Sequence, residues 1–288
     1  MGIVWVNGEL VDEARAAVSV HDRGFLLGDG LFETMRAYGG RVFALREHLE
    51  RLRRGAERIG LPLPDGLERA VCETVAANRL DDAAVRLTAS RGAGDGLLPP
   101  EAPSPTVVVA ARPYRPDPAW HERGIRAALA RGRLDEHRAT AGLKALGYLE
   151  AVVAVAEARA AGCDDALFLD TAGHLAEAAA SNLFVVVDGE LLTPPLSCGI
   201  LPGVTRAAVL RLAARRGWTA HERALEPASL ERATEAFLTS SLREIVPLVE
   251  VGGRVVGAGR PGPLAGALLS EYRDVAHGDS EEGGSDDR

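Results

Sequence analysis

Lys144 is the single lysine of this chain: of 33 Lys and Arg residues, the other 32 are Arg. A guanidinium stays charged under all ordinary conditions, whereas an amine can lose its proton, attack a carbonyl and form a Schiff base. The lysine sits in Ala141-Gly-Leu-Lys144-Ala-Leu-Gly-Tyr148. Its small and apolar neighbours disfavour a solvated ammonium and favour the neutral, nucleophilic amine.

Four further stretches could serve a phosphorylated aldehyde held on that amine. Gly199-Ile-Leu-Pro-Gly203-Val204-Thr205-Arg206 is a loop running into a helix, where free amides, the helix dipole and a hydroxyl favour an anion. Thr239-Ser240-Ser241 places three hydroxyls after an apolar strand, a second phosphate-type arrangement. Arg51, on the helical segment Arg46–Ile59, matches phosphate geometry in a bidentate manner. Glu177 stands among alanines before a buried-looking strand, and a carboxylate in so apolar a run needs a partner, such as a protonated pyridine nitrogen. Each stretch also reads as an ordinary cap, loop, surface charge or turn; their weight lies in occurring together.

The elements that must position them alternate. Asn7-Gly8 marks a hairpin between Ile3–Val6 and Leu10–Val11. Gly28-Asp29-Gly30 opens a strand through Thr34–Tyr38, and Arg46–Ile59 and Leu67–Ala77 carry helical periodicity. Val85–Ala89 and Thr106–Ala111 read as strands around the Gly/Pro-rich loop 92–105. After the proline-rich run Arg112–Pro118 come a strand at Ile125–Ala130, a helix predicted over Leu146–Ala161, and strands at Ala166–Leu169, Leu183–Val187 and Leu191–Thr193. A helix at Val204–Arg216, strands at Ala236–Thr239 and Ile245–Val251 and a helix at Leu264–Arg273 complete the pattern. Strands and helices on both sides of a proline-rich run predict two α/β or α+β domains. Their expected bounds are 1–111 for the N-terminal domain, 112–124 for a linker and 125–276 for the C-terminal domain. A disordered acidic tail is expected at 277–288.

Composition narrows the function classes. A chain of 288 residues with 47% hydrophobic content is long enough for two domains with substantial cores. A net charge of −8 disfavours nucleic acid and anionic membrane as partners. Cys72, Cys163 and Cys198 show neither metal-ligand nor CxxC spacing, which fits a reduced, cytoplasmic setting and predicts no metal site. The first residues show no signal-peptide pattern, and no apolar run approaches the roughly 20 residues of a membrane helix.

Taken in order, six motifs resemble the class IV, fold-type IV, pyridoxal-phosphate enzymes. They are Asp22-Arg-Gly24…Gly28-Asp-Gly30-Leu-Phe32-Glu-Thr34, His48-Leu-Glu-Arg51-Leu52, Gly142-Leu-Lys144…Tyr148, Glu177…Ser181-Asn-Leu-Phe184, Leu201-Pro-Gly-Val-Thr205-Arg206 and Ser240-Ser-Leu-Arg-Glu244. That family includes D-amino-acid and branched-chain aminotransferases and aminodeoxychorismate lyase. The resemblance implies a smaller N-terminal α/β domain and a larger C-terminal pseudo-barrel domain, with pyridoxal 5′-phosphate as cofactor. It also implies a homodimer, with the site at the domain interface and small-molecule amino acids and 2-oxo acids as substrates. Lys144 would form the Schiff base and carry the α-proton. Glu177 would pair with the pyridinium nitrogen, and Tyr148 would lie near the ring's phenolic oxygen. Arg51, Val204, Thr205, Ser240 and Ser241 would hold the phosphate, and the Gly28–Thr34 stretch, with Phe32, would line the substrate side.

The pattern departs from the family where substrate is read. The Arg-x-His pair of D-amino-acid aminotransferases has no counterpart in Arg91-Gly-Ala-Gly-Asp95-Gly. The Tyr-x-Arg of branched-chain enzymes appears as Ala84-Val-Arg86, with Arg but without Tyr. Gly28-Asp29-Gly30 looks like the D-amino-acid and lyase branches, and Ser90-Arg91-Gly92-Ala-Gly94 resembles a lyase loop. The expectation is therefore an aminotransferase of the D-amino-acid type, with a lyase forming 4-aminobenzoate and pyruvate, or a branched-chain aminotransferase, as alternatives. Arg86, Arg91 and Arg243 are the candidates for the substrate carboxylate.

Overall fold

The computed structural model describes residues 2–278; residues 279–288, most of the predicted tail, lie outside the described residues. The chain folds into two compact units, one of residues 2–115 together with Leu143–Gly147, the other of Pro116–Gly142 and Tyr148–Gly278.

The first unit is a six-stranded sheet in the order β2-β1-β6-β5-β3-β4. Its strands are β1 (Ile3–Val6), β2 (Glu9–Asp12), β3 (Gly30–Tyr38), β4 (Arg41–Val42), β5 (Ala83–Ser90) and β6 (Thr106–Pro113). The one-turn α1 (Arg23–Leu27), capped by the Asp22 side chain on the Gly24 amide, precedes β3. Side chains alternate across β3. Leu31, Met35 and Ala37 join Val85, Leu87, Ala89 and Val109 in a core that α2 (Leu45–Arg58) and α3 (Leu67–Ala77) cover through Leu49, Leu52, Ala70 and Val71. Gly30 must be glycine, because a Cβ there would lie 2.4 Å from the Ala89 carbonyl oxygen.

The segment predicted to begin a helix at Leu146 instead adds to the end of β3. The Phe32 amide donates to the Lys144 carbonyl at 2.9 Å, the Leu146 amide donates to the Gly30 carbonyl at 3.0 Å, and Leu31 bridges Ala145. These bonds hold the backbone extended, so α5 starts only at Leu149.

The second unit holds a nine-stranded, barrel-like mixed sheet. Its elements are α4 (Pro118–Arg123), β7 (Ile125–Leu134), α5 (Leu149–Ala160), β8 (Asp165–Asp170), β9 (Leu175–Ala178), β10 (Ser181–Val187), β11 (Glu190–Thr193), α6 (Val204–Arg215), β12 (Ala220–Glu222), α7 (Ser229–Arg232), β13 (Ala233–Ser240), β14 (Glu244–Val251), β15 (Arg254–Val255) and α8 (Pro263–Gly278). Part of the expected linker is regular: Arg112 and Pro113 end β6, and the Asp117 side chain caps α4 with Pro118 in its first turn. On one face of β10 and β13, Leu183, Val185, Ala236 and Leu238 build an apolar core with Leu167 and Val246; on the other, Phe184 stacks on Phe237 at 5.1 Å. No described helix is long and apolar enough to cross a membrane.

Candidate active site

In the first unit, Lys144 is placed by the backbone bonds that tie its segment to β3. Its Nζ stands 4.6 Å from the centroid of the Phe32 ring, and the Arg86 guanidinium lies 3.8 Å from the same centroid. The antiparallel register Phe32↔Thr88, Thr34↔Arg86 puts these side chains on one face of the sheet. An amine and a guanidinium thus share one aromatic ring, and Arg86 is exposed.

Glu33, on the opposite face, is fully buried and organises α2 beneath the lysine segment. Arg51 donates from Nε to Oε1 at 2.8 Å and from Nη2 to Oε2 at 2.5 Å, which fixes the plane of the guanidinium. His48 Nδ1 lies 2.7 Å from Oε2; an ionised carboxylate only accepts, so that nitrogen carries the proton. Burial pushes the Glu33 carboxyl up, but the bonds and charges of Arg51 and His48 outweigh it and hold the pKa at about 2. Burial depresses His48, and the charges of Arg51 and Lys144 act in the same direction against the pull of Glu33.

The structure gives Arg91 a different task from the expected one. It is buried, with Nε donating to the Asp29 carboxylate at 2.9 and 3.1 Å, Nη1 to the Gly60 carbonyl at 2.7 Å and Nη2 to the Ile59 carbonyl at 2.9 Å. Asp29 also accepts from Arg23 Nε at 2.8 Å, and Arg23 donates to the carbonyls of Gly96, Leu97 and Leu98. Arg91 therefore ties the end of α2 to the strand end, with its donors spent on protein oxygens. Asp29 serves the two arginines. Gly28-Asp29-Gly30 has a structural account in this clamp and in the tight approach at Gly30.

In the second unit, Glu177 lies on β9, a strand that sequence reasoning passed over, and pairs with Asn182 on β10. Asn182 Nδ2 donates to Glu177 Oε2 at 3.0 Å and to the Leu201 carbonyl at 2.9 Å, and the Leu201 amide donates to both Glu177 oxygens at 3.1 Å. The carboxylate is thus aimed by two neighbours. Gly203 precedes α6 without a side-chain cap, so helix-terminal amides of Val204 and Thr205 keep no partner within the helix. A Cβ on Gly203 would lie 2.0 Å from Asn182 Oδ1, which packs the helix start against the residue holding Glu177. Thr239 Oγ1 is buried without a protein partner, and the register Asn182↔Thr239 places it on the Asn182 face. Ser240 Oγ accepts from the Arg243 amide at 3.3 Å. Tyr148 caps the start of α5 and is half-buried.

Arg243, the third carboxylate candidate, is also engaged. Its Nη1 donates to Asp165 Oδ2 at 2.5 Å and its guanidinium lies 5.1 Å from the Trp120 ring. Arg86 stands on an exposed face beside Lys144, with Nε donating to Thr88 Oγ1 at 3.2 Å. Sequence reasoning missed the work of Glu33 and Asn182, and named Thr239 only as one of three strand-end hydroxyls. The first two lie inside the quoted motifs, and their signal was an acid and an amide in otherwise apolar strands, a pattern that demands a partner.

The Lys144 amine in the first unit, and in the second an aimed carboxylate, a glycine-led helix start and a buried hydroxyl without a hydrogen-bond partner, are each groups of the kind a phosphorylated pyridine aldehyde needs. No described group of His, Cys, Asp and Glu could hold a metal ion.

Comparison with known proteins agrees. The profile described as Amino-transferase class IV matches residues 30–251. A putative branched-chain-amino-acid aminotransferase of Methanocaldococcus jannaschii is 39% identical over 277 residues, covering 94% of this chain and 96% of the relative. A crystal structure of the branched-chain amino acid aminotransferase of Escherichia coli superposes with a TM-score of 0.92 at 32% identity, covering 99% of this chain and 97% of that one. The 4-amino-4-deoxychorismate lyase of Pseudomonas aeruginosa superposes with a TM-score of 0.84 at 34% identity, covering 95% and 99%. With the family profile spanning most of the chain and these relatives aligned end to end, this protein belongs to the class IV aminotransferases, enzymes that work with pyridoxal 5′-phosphate.

Proposed function

We propose that this enzyme transfers the amino group of a branched-chain amino acid to a 2-oxo acid. The observation that carries the reading is the pairing of Lys144 and Arg86 around the Phe32 ring, which sets a reactive amine beside an exposed carboxylate anchor. The names of the relatives support the branched-chain assignment over the D-amino-acid one, and the motif that favoured the latter serves the Arg23–Asp29–Arg91 clamp.

Each residue has a task in this reading. Lys144 Nζ would take the substrate's α-proton and return it at the far end of a 1,3-shift. The bound cofactor supplies an electron sink. Glu177, held by Asn182 and the Leu201 amide, keeps a proton on the pyridine nitrogen, and Tyr148 donates to the phenolic oxygen. Arg51 and the amides of Val204 and Thr205, with the hydroxyls of Ser240 and Ser241, hold the phosphate. Arg86 neutralises a substrate carboxylate, an interaction common to ground and transition states, and Phe32 lines the same side.

The test is to add single amino acids to the purified yellow enzyme and follow its absorbance. Bleaching to the pyridoxamine form by L-leucine or L-valine, but not by D-alanine, is the expected result; bleaching by D-alanine alone rejects the assignment. The lyase likeness keeps a second reading open. Release of pyruvate and 4-aminobenzoate from aminodeoxychorismate, with no bleaching by any amino acid, would establish it instead.

A further inference from the structure

The turn that carries Ser240 and Ser241 is built in an unusual way. Ser240 and Glu244 pair across β13 and β14, leaving residues 241–243 as a three-residue hairpin loop. Such loops close through a left-handed residue, normally glycine or asparagine. Here the left-handed residue is Glu244, the strand residue that closes the loop, with φ +61° and a buried side chain. A non-glycine residue holds this conformation only where its surroundings over-determine it. Arg273 of α8 does so, donating to Glu244 Oε2 from Nε at 2.8 Å and standing 2.7 Å away through Nη2. His121 of α4 stands 3.9 Å from the same carboxylate and donates from Nε2 to the Arg243 carbonyl at 3.2 Å.

Arg243 is clamped just as firmly, between the buried Asp165 of β8 and the Trp120 ring of α4. The consequence reaches Ser240. The Arg243 amide donates to Ser240 Oγ, which occupies a lone pair of that oxygen and leaves its O–H to act as a donor. A phosphate oxygen is an acceptor, so the hydroxyl is set in the sense a phosphate needs.

We propose that Arg243 and Glu244 are positioning residues: through their ion pairs with Asp165 and Arg273 they preform the Ser240–Ser241 turn as a phosphate cup. The inference rests on the reading of Ser240 and Ser241 as phosphate ligands. It also explains why two charged side chains occupy a turn that glycine and a neutral residue would close more easily.

The experiment compares two ligands that differ only in the phosphate. The holoenzyme is stripped and refilled with pyridoxal 5′-phosphate or with pyridoxal, and affinity is read from the visible absorbance. Arg243→Gln and Glu244→Gln should each weaken pyridoxal 5′-phosphate about tenfold, the size of one lost hydrogen bond to a charged group, while pyridoxal changes by less than about twofold. A purely structural role would lower thermal stability and weaken both ligands alike, or neither, and that result overturns the proposal. If Glu244→Gln does not fold, Glu244→Gly keeps the left-handed backbone without the carboxylate, and Arg243→Gln leaves the buried Glu244 pair untouched; the same ratio decides. Ser240→Ala with Ser241→Ala is the control. If this double variant keeps the wild-type preference for the phosphorylated ligand, the site reading itself fails. If it loses the preference while the clamp variants keep it, only the positioning inference falls.

Discussion

Lys144 and Glu33 are two ionisable residues with opposite demands on their surroundings. Lys144→Arg keeps a basic side chain of similar length beside Phe32 and should leave the fold intact, yet a guanidinium cannot form a Schiff base. Activity should vanish. Borohydride reduction of the native enzyme should attach the cofactor mass to the Lys144 peptide and of the variant to none; a label elsewhere would remove Lys144 from its role. Glu33 acts through folding instead. Its carboxyl is held at about 2, below the ordinary 4.5, so it contributes stability that is present above the unfolded value and lost as the pH falls from there towards 2. The thermal midpoint of the native enzyme should fall across that window. Glu33→Gln, which leaves Arg51 buried beside a neutral amide, should lower stability at neutral pH by about 3–5 kcal/mol and flatten the acid dependence. An unchanged acid slope in that variant would assign the effect to other carboxyls.

At the scale of elements, the start of α6 and the strand β10 depend on one another through Gly203. Its φ of −66° suits any residue, so only space forbids a side chain there. Gly203→Ala should push Asn182 off Glu177 and the Leu201 carbonyl, because the added carbon would meet Asn182 Oδ1 at 2.0 Å. The expected outcome is weaker cofactor retention and slower turnover with an unchanged circular dichroism spectrum; full retention would show that the loop before α6 yields instead. The helices α2, α3 and α6 were readable from sequence because their apolar spacing is local, and the hairpin at Asn7-Gly8 because its turn chemistry is. The strand β9 and the extended lysine segment were not. Leu175–Ala178 becomes a strand only because β8 and β10 flank it. Leu146-Gly147-Tyr148 has helix-compatible residues, and only backbone bonds to β3, over a hundred positions earlier, stop the helix there. The same non-locality hid the partners of Arg91 and Arg243. Sequence identifies an arginine near a pocket motif, but whether an aspartate already holds it is decided by tertiary packing.

At the scale of the whole molecule, the surface carries apolar groups that a lone chain has no reason to display. Leu97 and Leu98 are 84% and 83% exposed, yet their loop is held in place, since the buried Arg23 guanidinium binds the carbonyls of Gly96, Leu97 and Leu98. Phe25, Leu26 and Leu27 of α1, which follow Arg23 in the chain, are exposed as well, Phe25 by 75%. On α5 only Ala154 and Ala158 are buried, while Leu149, Val152 and Val153 face outward. In the first unit, the apolar side chains of α1 and of the Leu97–Leu98 loop, fixed outward on an ordered backbone, mark an interaction surface. We propose that its occupant is a second copy of this chain, the homodimer that the family resemblance implies. Sedimentation at micromolar concentration should then report twice the 30.4 kDa of the chain. Replacing Leu97 and Leu98 together by Asp would bury unpaired charge in that contact and should shift the enzyme to 30.4 kDa with its fold retained. Arg23→Ala provides a second route to the same surface, because it releases the loop without altering either leucine. Its dimer should dissociate at higher protein concentration than the native one. If both variants sediment as the native enzyme does, the Leu97–Leu98 loop lies outside the contact, and the exposed face of α5 becomes the place to substitute next.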